Sequence, residues 1–287
     1  STMMAASAIT GCSSGSSSAG GSGTASSGSS KPLIVGTDME LAGNFSPLFA
    51  STVYDQWVTN LVYQSMMTYD PDNNLQLTLL TEQPKLSEDG NSVTFKLKEG
   101  LKFSDGSDLD ANDVKFTFTL MADPEYVGQQ NDGTFNYIQG WDEYQKGDAK
   151  EVSGIVVENP TTVTFKFATP NIDAVNGIGT FWIMSDTQFP YEKGKMGEYK
   201  SNAEATLGSN AYMVKEGSFD KAAGIALVKN DKFPEADQYP VSQVVIKKIA
   251  TATELSSLES GDINLLPTTI ESTIIGPASV KENISFN

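Results

Sequence analysis

Two stretches of this chain alternate strictly between apolar and polar residues. In SVTFKLKEG (92–100), Val93, Phe95 and Leu97 fall on one side, and Thr94, Lys96 and Lys98 on the other. In TVTFKFATP (162–170), Val163, Phe165 and Phe167 repeat the arrangement. A period of two places successive side chains on opposite faces, so both stretches are predicted as half-buried strands. PLIVGTD (32–38) is a continuous apolar run and reads as a buried first strand. EVSGIVVEN (151–159), closed by a turn at Asn159-Pro160, GIALVKND (224–231) and VSQVVIKKI (241–249) add three more strands.

A different period governs residues 51–69. Tyr54, Trp57, Val58, Leu61, Val62 and Met66 recur at steps of three and four, the spacing of one helix face. Ser51 or Thr52 is placed to cap this helix, which is predicted to run to about Tyr69 before YDPDNN (69–74) breaks it. DANDVKFTFTLM (110–121) opens with acids suited to a helix N-terminus. Its FTFT centre fits a helix or a strand. TATELSSLESGDINLL (251–266) reads as a helix ending at Gly261, then a short strand, and FSDGSD (103–108) as a turn. The mixture of strands and helices predicts an α/β body.

The first thirty residues have neither period. Residues 13–30 are Ser, Gly, Ala and Thr, which bury too little surface to offset chain entropy, so they read as a flexible tether with a reach on the order of 25 Å. Before them, Ile9-Thr10-Gly11-Cys12 resembles a lipobox at the end of an export signal whose start is missing. Cys12 is the only cysteine, so it has no partner for an internal disulfide. On this reading Cys12 accepts a diacylglycerol and becomes the mature N-terminus, and the acyl chains anchor the protein to the outer face of a membrane.

Composition removes several function classes. The 287 residues carry a net charge of −17, which opposes binding to nucleic acid or to an anionic bilayer. There is no His, so no imidazole serves as general base or metal ligand. All 19 basic side chains are Lys, so no guanidinium fork is available. Gly11-Cys12-Ser13-Ser14-Gly15 fits the G-x-S-x-G pattern, but it lies in the tether with no His to serve it. Asp70, Asp72 and Asn74 begin like a calcium loop. Leu75 and Thr81 then stand where Gly and Glu are needed, so the segment reads as a surface turn. No run of apolar residues is long enough to span a bilayer as a helix.

The order of several phrases carries more weight than any one motif. In SVTFKLKEGLKFSDGSDLDANDVKFTFTLMADP (92–124), the residues Thr94, Phe95, Leu97, Gly100, Phe103, Asp105, Gly106, Ala111, Asp113 and Val114 stand at the positions of a pattern typical of family 5 extracellular solute-binding proteins. Lys98 replaces the usual Arg. LVYQSMMTYDPDNN (61–74), WDEYQKGDAKEVSGIVVENPTTVTFKF (141–167), LGSNAYMVKEG (207–217) and ALVKNDKFPEADQYPVSQVVIKKIATATELSSLESGDINLL (226–266) also resemble that family. Departures at Asn210, Ala211 and Asn264 leave the subgroup open. The similarity covers about residues 31–270.

The resemblance implies a periplasmic-binding-protein-like α/β fold of type II, a two-lobed cleft with an extra domain, here truncated before most of the second lobe. It divides the chain into a truncated signal and lipobox (1–12), a tether (13–30), lobe I (31–55 plus 188–270), an extra α/β domain (56–187) and the start of lobe II (271–287). It implies the substrate-binding component of an ABC importer. Such a component captures extracellular oligopeptides or dipeptides and delivers them to permease subunits, without breaking a bond. It also implies a monomer with no cofactor and no bound metal, while the long Ser/Gly tether suits a lipoprotein held on the outer face of the cell membrane of a Gram-positive bacterium.

The resemblance places Ser51, Thr52 and Val53 along the peptide, pairing through their backbone as an added strand does. That expectation competes with a helix cap at Ser51 or Thr52. It also brings Phe135, Tyr137 and Trp182 forward as aromatic contacts for ligand side chains, against the plainer reading that they belong to the core. A binder of another solute on the same fold, such as a sugar, a nickel chelate or haem, is the alternative. A secreted glycosidase fits least, since no carboxylate pair stands out.

Overall fold

The computed structural model describes residues 31–130, 133–267 and 285. Cys12, the lipobox and the tether lie outside them, as do residues 268–284.

The apolar run at 32–38 forms β1 (Leu33–Thr37). It pairs in parallel with β9 (Gln243–Lys248), Val35 opposite Ile246. β8 (Gly224–Lys229) lies antiparallel to β9, and β7 (Tyr212–Val214) antiparallel to β8. The sheet order is therefore β1-β9-β8-β7. Val35, Val244, Ile246, Ile225 and Leu227 share one face and are buried. Each such side chain contributes roughly 1.5–3 kcal/mol by leaving water. α6 (Glu254–Ser260) ends at Gly261, and the chain then returns beside β1, where Gly36 N donates to Leu265 O at 2.9 Å.

The two alternating stretches become neighbours in a second sheet. β4 (Ser92–Lys96) pairs antiparallel with β6 (Thr162–Lys166), Phe95 opposite Val163, and β5 (Ile155–Asn159) flanks β6. A small antiparallel ribbon of β2 (Thr68–Tyr69) and β3 (Leu75–Gln76) closes the turn at Asp70. α2 (Ala111–Met121) packs on the three-stranded sheet. Its FTFT centre is helical because the start is doubly capped: Asp110 accepts the Asn112 N–H, and Asp113 accepts the Asp110 N–H at 2.8 Å. Phe118 then stacks edge-on against Phe165 and Phe135, with ring centroids 5.1 Å apart in both cases.

α1 (Val53–Val62) is shorter than its apolar spacing predicts. Tyr63 leaves the helix in an extended conformation. Ser65 then pairs with Trp182, and Met67 N donates to Gly179 O at 2.9 Å. The helix face thus breaks where the chain finds partners in a distant segment. Three short helices carry weaker sequence signals: α3 (Trp141–Lys146), α4 (Ala174–Gly179) and α5 (Met196–Lys200).

Candidate functional site

The segment Ser51–Val53 is held from both sides. Before it, Leu41, Phe45, Leu48, Phe49 and Ala50 are buried, so the loop leaving β1 is anchored by its own side chains. Phe45 N and Ser46 N both donate to Ala203 O, at 2.8 and 3.1 Å. After it, α1 carries Asp55, whose carboxylate accepts the Gly43 and Asn44 N–H groups at 3.2 Å each. Burial pushes the Asp55 carboxyl up, and the backbone donors oppose that shift. Thr59 Oγ1 donates to Phe45 O at 2.9 Å, and Gln56 Nε2 to Ala50 O at 3.2 Å.

Thr52 is the N-cap. Its backbone is extended (φ −95, ψ 148), and its hydroxyl accepts the Asp55 N–H at 3.1 Å. Val53 is the first helical residue. A three-residue extended edge is therefore corrected to two residues running into a helix start. The physical reason is the cap, which fixes the turn after Thr52. Ser51 and Val53 are exposed, and Ser51, Thr52 and Val53 donate no backbone hydrogen bond among the described residues. The first N–H groups of a helix have no partner within it, so a ligand's backbone carbonyls can meet them.

A second loop lies against the first. Tyr126 Oη donates to Leu48 O at 2.8 Å. Gly128 is required there, since a Cβ would stand 2.4 Å from Leu48 O. Val127, between them, is 73% exposed. Asp123 steadies the base of this loop, accepting Glu125 N, Gly194 N and the Tyr191 hydroxyl at 2.8, 2.9 and 2.7 Å. Tyr144 Oη lies 2.9 Å from Tyr191 Oη. Sequence reasoning passed over Val127 and Tyr126, because a lone valine in a Pro-Glu-Tyr-Val-Gly loop has no period.

The aromatic candidates are placed differently. Phe135 is 2% exposed and packs among Phe118, Trp141 and Phe181. The expectation of a ligand contact is corrected here: its ring lies in the core, with one edge bordering a hollow of about 320 Å3 walled also by Met121, Gln130, Asn136 and Gln145. Tyr137 is half-buried against Phe167, and burial with nearby Asp173 pushes its phenol up to about 12. Trp182 is half-buried beside Phe181, on the bridge to Ser65. These three rings belong to one aromatic group, and among the described residues none makes a ring contact or hydrogen bond with Ser51–Val53. Also among the described residues, no group of three or more His, Cys, Asp or Glu is placed to hold a metal ion. No helix there is long and apolar enough to cross a membrane.

The four-stranded mixed sheet and the three-stranded antiparallel sheet fit a truncated two-lobed, periplasmic-binding-protein-like fold, the class on which the chain superposes. Oligopeptide-binding OppA of Listeria monocytogenes, solved with peptide, superposes over 88% of this chain and 49% of its own, with a TM-score of 0.73 at 20% identity. AppA of Bacillus subtilis, solved with a nonapeptide, gives 0.70 at 22% identity over 87% and 46%. Identities this low establish the fold alone. In sequence, the oligopeptide-binding protein AppA of Bacillus subtilis is 25% identical over 221 residues, 77% of this chain and 38% of that protein. OppA of Lactococcus lactis is 35% identical over 112 residues, 37% of this chain and 18% of that protein. Residues 74–284 match the family described as "Bacterial extracellular solute-binding proteins, family 5 Middle", and the chain belongs to that family. It spans about half the length of these solved relatives and less of the curated ones.

Proposed function

We propose that the intact protein is the substrate-binding component of an ABC importer, capturing oligopeptides or dipeptides outside the cell and handing them to a membrane permease. The observation that carries this reading is the Ser51–Val53 edge, exposed at Ser51 and Val53, whose backbone N–H groups donate no hydrogen bond among the described residues. Peptide carbonyls meet these groups as those of an added strand do, so recognition is largely independent of side chains. Val127 supplies apolar surface beside that edge. The second lobe closes over the ligand by a hinge motion, and the closed form docks on the permease. Binding and release leave the peptide unchanged. Cys12 carries the acyl anchor that keeps the protein at the outer face of the cell membrane, and the body acts as a monomer. The oligopeptide-binding names of the relatives support the peptide reading.

The test is to incubate intact protein with a mixed peptide pool and identify what co-purifies. Peptides recovered whole support the proposal. Cleaved products, or recovery of a sugar or metal chelate in place of peptide, overturn it. Mass spectrometry of the membrane-bound protein tests the anchor separately, and an unacylated Cys12 would remove it.

A further inference from the structure

Three segments far apart in sequence meet around one small cavity. Ser46 comes from the loop before α1, and Tyr63 from the end of that helix. Gln188 and Phe189 come from the segment beyond the Trp182 bridge, and Tyr199 and Asn202 from α5 and the turn after it. The cavity holds about 10 Å3.

Two polar atoms at this place are out of contact with solvent and have no hydrogen-bond partner among the described residues: Gln188 Oε1 and Tyr199 Oη. Tyr199 is 4% exposed and Tyr63 is 1% exposed. Leaving a buried polar group unpaired is costly, and native structures leave few such groups. The two are chemically complementary, since a phenol donates and an amide oxygen accepts, yet they do not bond each other directly. Tyr63 Oη accepts the Leu207 N–H at 3.3 Å, which leaves its own proton to donate.

We infer that this cavity is a specific binding site for one internal water molecule, which accepts from Tyr199 Oη and donates to the Gln188 side chain. The volume sets the ligand class. About 10–15 Å3 of this kind of space admits a single water and nothing larger, provided two to four polar partners surround it. Tyr63 is the third partner. The site tolerates either orientation of the Gln188 amide, because water accepts as readily as it donates. Its role is to join three segments at a seam that direct bonds also cross, among them Phe45 N and Ser46 N to Ala203 O, Leu207 N to Tyr63 Oη and Ile183 N to Gln64 O. The water thereby holds the 184–189 segment against α1 and α5.

A high-resolution crystal structure of the intact protein tests the site. One isolated density peak is expected about 2.6–3.2 Å from both Tyr199 Oη and the Gln188 amide. A direct Tyr199–Gln188 bond, or no peak in a well-ordered cavity, overturns the inference. A thermal double-mutant cycle tests it in solution. Tyr199→Phe and Gln188→Met are each expected to lower the melting temperature by about 2–4 °C. A shared water makes the two losses overlap, so the double variant melts higher than their sum predicts. Strictly additive losses overturn the shared site.

Discussion

The Asp55 carboxylate accepts the backbone N–H of Gly43 at 3.2 Å, inside the molecule and twelve residues back along the chain. Its other oxygen holds Asn44 N. Removing the carboxylate strands two backbone donors, so Asp55→Ala is expected to lose about 2–4 kcal/mol of stability in urea unfolding. Asp55→Asn retains one acceptor and loses less. Equal losses for the two variants would contradict this account of the loop.

Val53 tests the edge itself. Proline is well tolerated at the first helical position, and Thr52 is already in the extended conformation that a following proline requires. Val53→Pro therefore removes one N–H while leaving the fold intact. Peptide affinity of the intact protein is expected to fall about tenfold by calorimetry, the worth of one hydrogen bond. Unchanged affinity with unchanged melting would exclude the Val53 N–H from recognition.

Asp113 predicts a pH dependence of stability. Burial pushes its carboxyl up to about 7, helped by the Asp186 and Asp110 charges and opposed by the N–H groups of Asp110 and Asp186. The folded chain then holds this proton more tightly than the unfolded chain, whose carboxyl titrates near 4. The contribution of Asp113 is thus fully present below about pH 4, declines as pH rises towards 7, and is flat above. Urea midpoints of the wild type should fall between pH 5 and 7.5, and Asp113→Asn should remove most of that slope. An undiminished slope in the variant would assign the dependence to other groups.

Phe118 sits where three rings converge, on Phe135, Phe165 and Phe181. Phe118→Ala is expected to cost about 3–5 kcal/mol, because the neighbouring rings relax only partly into the space left. Phe118→Leu should cost less than half as much.

Gly224 begins β8 at φ +130, and a Cβ there would stand 1.9 Å from Ile246 O. Gly224→Ala must move β8 or β9, so a loss on the order of 2 kcal/mol or more is expected. A neutral variant would show that the strand start can shift freely.

Much of the local structure was legible. Alternation at 92–97 and 162–167 identified both strands, and the ordered motifs from Thr94 to Val114 identified the family. Helix α2 was ambiguous because Phe-Thr-Phe-Thr satisfies either period. The capping box of Asp110 and Asp113 decided it, and Thr117 strengthened the outcome by binding Asp113 O and Met184 N. The end of α1 was misread, because Met66 continues the helical spacing while Ser65 and Met67 take bonds from residues more than a hundred positions away.

The sequence by itself determined the strands β1, β4, β5, β6, β8 and β9, and which chemistries are closed to a chain with no His or Arg. Periodicity and composition are local properties, and they survive without knowledge of neighbours. The tertiary structure decided the rest. It chose Thr52 over Ser51 as the cap and placed Tyr126 on Leu48. It also drew Phe135 into the core, and it brought Gln188 and Tyr199 to one cavity. Those outcomes depend on which distant groups compete for the same hydrogen bond or the same space, and spacing along the chain does not encode that.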